Sequence, residues 1–385
     1  MKKMFFTFGG FVVFLVFSFI IVEIFLRVYS KFSPTFFAPK NKAYDQFRPN
    51  PNSWINGFQL NSKGYQDEEF SIQKKEGTFR ILAIGDSFTF GVVPYKNNFV
   101  TIIEERLKEI KPSIEIINMG IPSTNVQDYL SLLIDEGLEL NPDMIMINVY
   151  IGNDITYASQ SKKESSIYTI RFINYLKAFF KFNRNGEKVI TRLGGDNKEN
   201  LYNDEANSMD DHTFMEVQKS LFFIYLDKDY ILKELTHRYD SIFKDLNTLN
   251  QICQDRKIKL LITLLPAEIQ VDKNLQKIIE AEVYKDLSNK FDSHEKFIES
   301  IHYSLPNAKL KNELTKQNIE YLDLLDPFQE KGLSKKFYKP KDTHWNIAGN
   351  MLAADLIYEY LLKVNFDNYI VLGHKSLTFA PIINN

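Results

Sequence analysis

The sequence lacks cysteine pairs and any strong excess of charge, and each absence excludes a class of protein. Cys253 is the single cysteine among 385 residues, so an intramolecular disulfide and a cysteine-based metal site are both excluded. The formal net charge is −2 and the basic residues are scattered along the chain, which gives no footprint for nucleic acid. Hydrophobic residues make up 44% of the sequence, enough for a packed core, so we expect a globular protein.

Two common functional motifs are missing as well. No Gly-Lys-Ser or Gly-Lys-Thr follows the glycines, which excludes a phosphate-binding loop. Thr89, and not glycine, stands two residues after Ser87, so the chain lacks the Gly-x-Ser-x-Gly elbow of α/β-hydrolases.

The N-terminal segment contains a long uncharged run. Nineteen residues without a charge extend from Met4 to Val22. As a helix, residues 4–26 would span roughly 34 Å, enough to cross a hydrocarbon core of about 30 Å. We therefore predict an uncleaved, single-pass membrane anchor over residues 1–30. A cleaved signal peptide and a buried core helix are the alternatives, although no convincing small-residue cleavage site follows Val22.

Basic residues occur on both sides of this segment. Lys2 and Lys3 precede it, and Arg27 and Lys31 follow, so the count of positive charges does not fix the topology. We expect the remainder of the chain to be extracytoplasmic.

From Phe79 onward, short apolar runs alternate with amphipathic stretches. This alternation predicts right-handed βαβ units and therefore an α/β fold, a three-layer α/β/α sandwich around a central parallel sheet. The predicted strands are residues 80–84, 115–118, 144–149, 258–265 and 319–324, and the predicted helices are residues 98–110, 126–138 and 346–362.

Three further stretches fall outside this pattern. Residues 31–78 are rich in proline, asparagine and aromatic residues, and we interpret them as a neck and covering segment with a small hairpin at residues 58–65. Residues 156–227 have loop composition and leave the sheet after its third strand, so we predict a cap above the sheet edge, with a poorly ordered surface insertion as the alternative. Residues 267–310 are charged throughout and are expected to form a solvated helical pair. The chain is thus divided into an anchor (1–30), a neck (31–78), a main domain (79–365, with insertions at about 156–227 and 267–310) and a C-terminal tail (366–385).

Polar residues follow the first three predicted strands. The strands end in Gly85-Asp86-Ser87, in Asn118-Met119-Gly120 and in Tyr150-Ile151-Gly152-Asn153-Asp154, and a distant segment, Lys341-Asp342-Thr343-His344, precedes the last helix. Because the carboxyl ends of parallel strands meet at one edge of a sheet, the residues after the three strands are expected to converge there, and the segment before the last helix can lie over the same edge.

The converging residue types suit nucleophilic catalysis. A serine hydroxyl such as that of Ser87 needs an adjacent base, which His344 can provide, and Asp342 can orient the imidazole. The backbone N–H groups of Ser87 and Gly120 and the side-chain amide of Asn153 can stabilise an oxyanion. Taken singly, Gly120 can be a strand-ending turn, Asn153 a cap and His344 a surface residue.

These four blocks, in this order, resemble the signature of the SGNH/GDSL hydrolase superfamily. The resemblance covers roughly residues 79–155 and 256–362. It implies a flavodoxin-like sandwich, no metal or cofactor, and transfer of an acyl group through a serine ester. It also implies Ser87 as nucleophile and oxyanion donor, His344 as base, Asp342 as its partner, and Gly120 and Asn153 as the remaining oxyanion donors.

One position departs from the family pattern. The family usually places its acid three residues before the histidine, where this sequence has Lys341. Asp342 stands two residues before His344, which resembles the arrangement in envelope polysaccharide O-acetyltransferases of the same superfamily. In an extended segment residues i and i+2 face the same way, so contact is still expected.

The sequence thus leads to two hypotheses. The first is a membrane-anchored serine esterase or acyltransferase that acts on an acyl-bearing envelope component such as an O-acetylated glycan. The second is a catalytically silent member that binds glycan or scaffolds an envelope complex. The acyl chain, the final acceptor and the oligomeric state stay open.

Overall fold

The fold is built on a five-stranded parallel sheet. The computed structural model describes residues 2–32, 42–156, 158, 167–170, 172, 173, 176 and 195–363. After a short hairpin (β1, Trp54–Ile55; β2, Phe58–Gln59), the sheet consists of β3 (Phe79–Gly85), β4 (Ile114–Gly120), β5 (Met144–Tyr150), β6 (Lys259–Leu265) and β7 (Glu320–Asp323) in the spatial order β4-β3-β5-β6-β7. This is the flavodoxin-like order, and it confirms the predicted α/β class.

Helix α1 (Lys2–Phe32) precedes the sheet and is mostly exposed along its apolar run, and the other helices surround the sheet. The longer ones are α3 (Phe99–Ile110), α4 (Val126–Leu132), α6 (Asp211–Phe222), α7 (Asp229–Arg256), α9 (Lys273–Leu287), α11 (Leu305–Lys316), α12 (Leu325–Gly332) and α13 (Ile347–Lys363). The shorter ones are α2 (Ser87–Phe90), α5 (Asn153–Thr156), α8 (Glu268–Val271) and α10 (His294–Glu299). Helix α3 packs against α13, and α4 packs against α7.

Strands β3 and β5 both lie in the interior of the sheet. Every residue of β3 and of β5 is buried, because both faces of these strands are covered by helices. The order of strands reverses at β3, so right-handed crossovers carry α3 and α4 to opposite faces. The carboxyl ends of β3 and β4 are level, with Gly85 paired to Gly120, and the polar residues that follow therefore meet at one edge.

The hairpin in the neck differs from the prediction. The prediction placed it at residues 58–65, but Trp54–Ile55 pairs with Phe58–Gln59 around Asn56 and Gly57. Both turn residues have positive φ, 49° and 78°, which is the requirement of a tight hairpin turn and the usual reason for Asn-Gly. The Asn-Gly pair in the sequence was the signal for this turn.

The section at 156–227 is more regular than its composition suggested. Residues 157, 159–166 and 177–194 lie outside the described residues, but α6 occupies residues 211–222 and continues into a 3-10 turn at Phe223–Tyr225. Asp210 caps α6 by accepting a hydrogen bond from the N–H of Thr213. Part of the expected irregular insertion is thus helical, and residues 366–385 of the expected tail lie outside the described residues.

Helix α1 includes the apolar run predicted as an anchor. Its segment Gly10–Tyr29 is long and apolar enough to cross a membrane, and only 6% of it is buried within the structure. Length and composition also fit a signal sequence, so the helix itself does not distinguish the two. The one acid in this run, Glu23, accepts hydrogen bonds from the backbone N–H groups of Tyr168 and Thr169.

Arg80 joins the start of β3 to its surroundings. The residue is 1% exposed, and its guanidinium donates to the carboxylate of Glu115 at 2.7 Å. It also donates to the carbonyl oxygens of Leu140, Ile72 and Ser71 at 2.7, 3.1 and 2.9 Å. The buried guanidinium of Arg80 therefore binds three backbone carbonyls that lie outside the sheet.

Replacing Arg80 should destabilise the fold strongly. We expect Arg80→Met to lower the free energy of unfolding by about 3 kcal/mol, because the variant leaves these carbonyls and Glu115 without their donor. The matched control is Arg106→Met, which removes an ion pair to Asp355 whose two side chains are 31% and 41% exposed and should cost less than about 1 kcal/mol. Urea denaturation followed by circular dichroism measures both, and equal losses would contradict the prediction.

Candidate active site

Ser87 lies at the first position of α2, directly after β3. Asp86 caps this helix, since its carboxylate accepts a hydrogen bond from the N–H of Phe88 at 2.9 Å. Gly85 has no room for a side chain, because a Cβ there would lie 2.0 Å from Oγ1 of Thr89. The sharp change from strand to helix fixes the Ser87 hydroxyl at the edge of the sheet, where it is half-buried.

Side-chain amides hold α2 in place. This helix has only four residues, and its carbonyls at Thr89 and Phe90 accept hydrogen bonds from Nδ2 of Asn98 at 3.0 and 2.9 Å. Nδ2 of Asn118 donates to the same Thr89 carbonyl at 2.8 Å. The amides thus provide the partners that a longer helix would find in its own next turn. Sequence reasoning did not identify this role of Asn98 and Asn118.

The structure brings Ser87, His344 and Asp342 together in one chain of hydrogen bonds. Nε2 of His344 lies 2.7 Å from Oγ of Ser87, although the two residues are 257 positions apart. Nδ1 of His344 lies 2.6 Å from Oδ1 of Asp342. The imidazole ring also packs on Phe88, with ring centroids 5.0 Å apart. The base is therefore within hydrogen-bond reach of the hydroxyl and is oriented by a carboxylate, the geometry that nucleophile activation requires.

The expected contact between Asp342 and His344 arises from a turn and not from an extended segment. Oδ1 of Asp342 accepts the backbone N–H of His344 at 3.1 Å as well as the ring contact, which is an Asx turn. Lys341 precedes it with a φ of 48°, in the left-handed region. Its ammonium forms an ion pair with Asp211 at 2.7 Å. The position that carries the acid in the family pattern therefore points away from the histidine.

The surroundings keep Asp342 ionised. Burial acts to raise the pKa of this carboxyl, but hydrogen bonds from His344 and Ser208 and the charge of the imidazolium outweigh burial and hold the pKa well below its usual range. Asp342 can therefore stabilise a positive charge on His344 across the neutral pH range.

The two remaining predicted oxyanion donors are the backbone N–H of Gly120 and the side-chain amide of Asn153. The N–H of Gly120 donates to Oδ1 of Asn118 at 2.9 Å. A Cβ at Gly120 would lie 2.1 Å from the backbone nitrogen of Phe90, so glycine is required here by the close approach of α2. Asn153 is the first residue of α5, and its side-chain amide acts to lower the pKa of Asp86. The amide carries two N–H donors, which suits the binding of an oxyanion.

The loop after Gly120 contains a strained residue. Ser123 is exposed and has a φ of 61°, a conformation that is unusual for serine. The adjacent Thr124 donates its hydroxyl to the carbonyl of Ile121 at 2.6 Å, and Ile121 donates its N–H to the carbonyl of Gly85. The loop thus lies against the end of β3, and backbone strain of this kind clusters at functional sites.

Two buried carboxyls, those of Asp86 and Asp154, lie close to Asn153. Burial raises the pKa of Asp86 to about 6, opposed by the N–H of Phe88 and the charge of His344. Burial, followed by repulsion from Asp86, raises the pKa of Asp154 well above its usual value. The hydroxyl of Tyr129 donates to both oxygens of Asp154, at 2.9 and 3.0 Å.

The raised pKa of Asp154 predicts a pH-dependent stability. An acid whose pKa is higher in the folded than in the unfolded state, where it is about 3.9, makes the protein less stable as the pH rises toward the folded value. We expect Asp154→Asn to remove this slope, so that its free energy of unfolding gains on the wild type between pH 5 and pH 8, by up to about 1.4 kcal/mol per pH unit. Denaturation series at several pH values measure the gain. The exposed Asp255→Asn is the control, and parallel pH curves for the wild type and Asp154→Asn would contradict the prediction.

Comparison with known proteins gives remote structural neighbours. No protein-family model matches the sequence, and no curated protein matches it. An acetyl xylan esterase is similar in structure at 15% identity, with a TM-score of 0.39 over 74% of this chain and 100% of the esterase. Axe2, an acetylxylan esterase from Geobacillus stearothermophilus, is similar at 13% identity, with a TM-score of 0.38 over 76% of this chain and 97% of Axe2. Likeness at this level does not assign an activity to this chain.

Proposed function

We propose that this protein is a serine esterase or acyltransferase that acts on ester-linked acyl groups. The observation that carries the proposal is the unbroken chain of hydrogen bonds from Asp342 through His344 to the hydroxyl of Ser87. The hydroxyl is half-buried, so it is reachable, and the carboxylate is held ionised. A carboxylate, an imidazole and a serine hydroxyl in this arrangement are the groups that activate a serine for attack on an ester.

Acyl transfer would follow from the positions of these atoms. Oγ of Ser87 attacks the carbonyl carbon of the ester while Nε2 of His344 accepts the hydroxyl proton. The oxyanion is stabilised by the N–H of Ser87 and the amide of Asn153, with the N–H of Gly120 contributing if it exchanges its bond to Asn118. Collapse expels the alcohol, which takes the proton from His344 and leaves an acyl-serine. Water or a sugar hydroxyl then removes the acyl group by the reverse steps.

The proposed substrate is an O-acetylated glycan of the cell envelope. Three features support it: the apolar helix α1, which would keep the enzyme at a membrane; the segment at 195–211, which packs beside the site and suits a substrate larger than a simple ester; and the Asp-Thr-His spacing, which resembles that of envelope polysaccharide O-acetyltransferases. In this proposal residues 1–30 anchor the protein, residues 31–78 form the neck and residues 79–365 form an extracytoplasmic catalytic domain.

Activity should depend on Ser87. We expect the segment from about residue 40 to hydrolyse p-nitrophenyl acetate and to react with a fluorophosphonate probe at Ser87, and Ser87→Ala to lose both, because the nucleophile is gone. The control is Ser220→Ala, which changes an exposed serine on α6. Activity unchanged in Ser87→Ala would exclude the proposal.

The same measurement tests the alternative of a silent glycan-binding protein. That alternative predicts a folded wild-type protein without any covalent labelling by the probe. Labelling that disappears in Ser87→Ala excludes it.

Asn153 should stabilise the transition state. We expect Asn153→Ala to lower kcat by on the order of 10² to 10³, because one preorganised oxyanion donor is lost. KM should change little, since the donor meets its acceptor only when the oxyanion forms. Steady-state kinetics with p-nitrophenyl acetate separate the two constants, and a loss confined to KM would assign Asn153 to ground-state binding.

A further inference from the structure

The second carboxylate oxygen of Asp342 has a partner outside the four sequence blocks. Oδ1 of Asp342 faces His344 and accepts two hydrogen bonds from it. Oδ2 accepts a hydrogen bond from Oγ of Ser208 at 2.5 Å, and Nζ of Lys339 lies 3.7 Å away. The Asp342 side chain is 8% exposed, so an oxygen without a donor there would be costly.

Ser208 belongs to a strap, residues 202–211, that crosses the catalytic turn. The N–H of Ser208 donates to the carbonyl of Pro340 at 3.3 Å, on one side of Asp342. The carboxylate of Asp204 accepts the N–H of Ile347 at 3.1 Å, on the other side. Tyr202 donates its hydroxyl to Asp204, which fixes that carboxylate. The strap is therefore joined to the turn before and after His344.

The spacing of the Asx turn explains why the strap is needed. Because Asp342 is only two residues before His344, the backbone N–H and the ring of His344 both bind the same oxygen. Partial rotation about the Cβ–Cγ bond of Asp342 would move Oδ1 out of line with both donors and weaken both bonds. A donor on Oδ2 opposes that rotation, and Ser208 supplies it.

We propose that Ser208 is a positioning residue of the active site, which holds the carboxylate of Asp342 in the orientation that activates His344. The proposal rests on the proposed function, since it concerns the same nucleophile. The strap would then take part in catalysis through Asp342. Ser208 is itself exposed, so a ligand that displaces the strap would also release Asp342.

The test is the rate of covalent labelling by a fluorophosphonate probe, measured on the full-length protein in detergent. We expect Ser208→Ala to slow labelling of Ser87 about tenfold, because a hydrogen bond to a charged group is lost. Ser208→Thr keeps the hydroxyl and should label at close to the wild-type rate. The matched control is Asp211→Asn, which breaks the ion pair between the strap and Lys341 but leaves the donor to Asp342 intact.

A double-mutant cycle separates positioning from mere folding. In an Asp342→Asn background, adding Ser208→Ala should cause no further loss of labelling rate, because Ser208 acts only through that carboxylate. A loss of equal size in both backgrounds, or a loss in Asp211→Asn as large as in Ser208→Ala, would overturn the proposal. So would a Ser208→Ala rate equal to that of the wild type.

The failure of the proposed function gives a different result. If the wild-type protein is not labelled at Ser87, the proposed function is wrong, and the role of Ser208 fails with it. If the wild type is labelled and Ser208→Ala is labelled equally fast, only the inference about Ser208 fails.

Discussion

The site depends on the fixing of one short helix at the end of β3. Helix α2 has four residues and is too short to satisfy its last carbonyls, those of Thr89 and Phe90, so the amides of Asn98 and Asn118 bind them. The same Asn118 binds the N–H of Gly120 through its Oδ1, and the missing side chain of Gly120 makes room for α2. Strand β4, helix α3 and Ser87 are thus coupled, and displacement of β4 or α3 would move Ser87.

The pKa values of the carboxyls differ between the two sides of Ser87. On the side of His344, Asp342 is held as a carboxylate by several donors. On the side of Asn153, burial favours the neutral forms of Asp86 and Asp154. The ionised Asp342 favours positive charge on the imidazole of His344, and the raised pKa values of Asp86 and Asp154 make negative charge beside Asn153 less favourable.

The sequence was most informative where backbone periodicity decides the structure. The five strands and the common edge at Gly85 and Gly120 follow from apolar runs that end in polar residues. The approach of His344 to Ser87 was predicted from the chemistry of the two side chains and from the resemblance of the four blocks, because His344 does not end a strand. The bonds of Asn98 and Asn118 could not be predicted, because a side-chain amide can bind any carbonyl that the fold brings near. Helix α6 was missed because its loop-like flanks obscured a short amphipathic pattern, and Ser208 because nothing in its neighbourhood resembles a motif.

Glu23 joins helix α1 to the segment at residues 168–169. Its carboxylate, six residues before the end of the apolar run of α1, binds the backbone of Tyr168 and Thr169. At 1.5 Å per residue, this places the contact about 9 Å below the end of that run. In the proposed anchored form, this contact would limit how far the domain swings relative to the lipid surface. Its height above the lipid would then be set, and a polymeric substrate would have to be drawn to it.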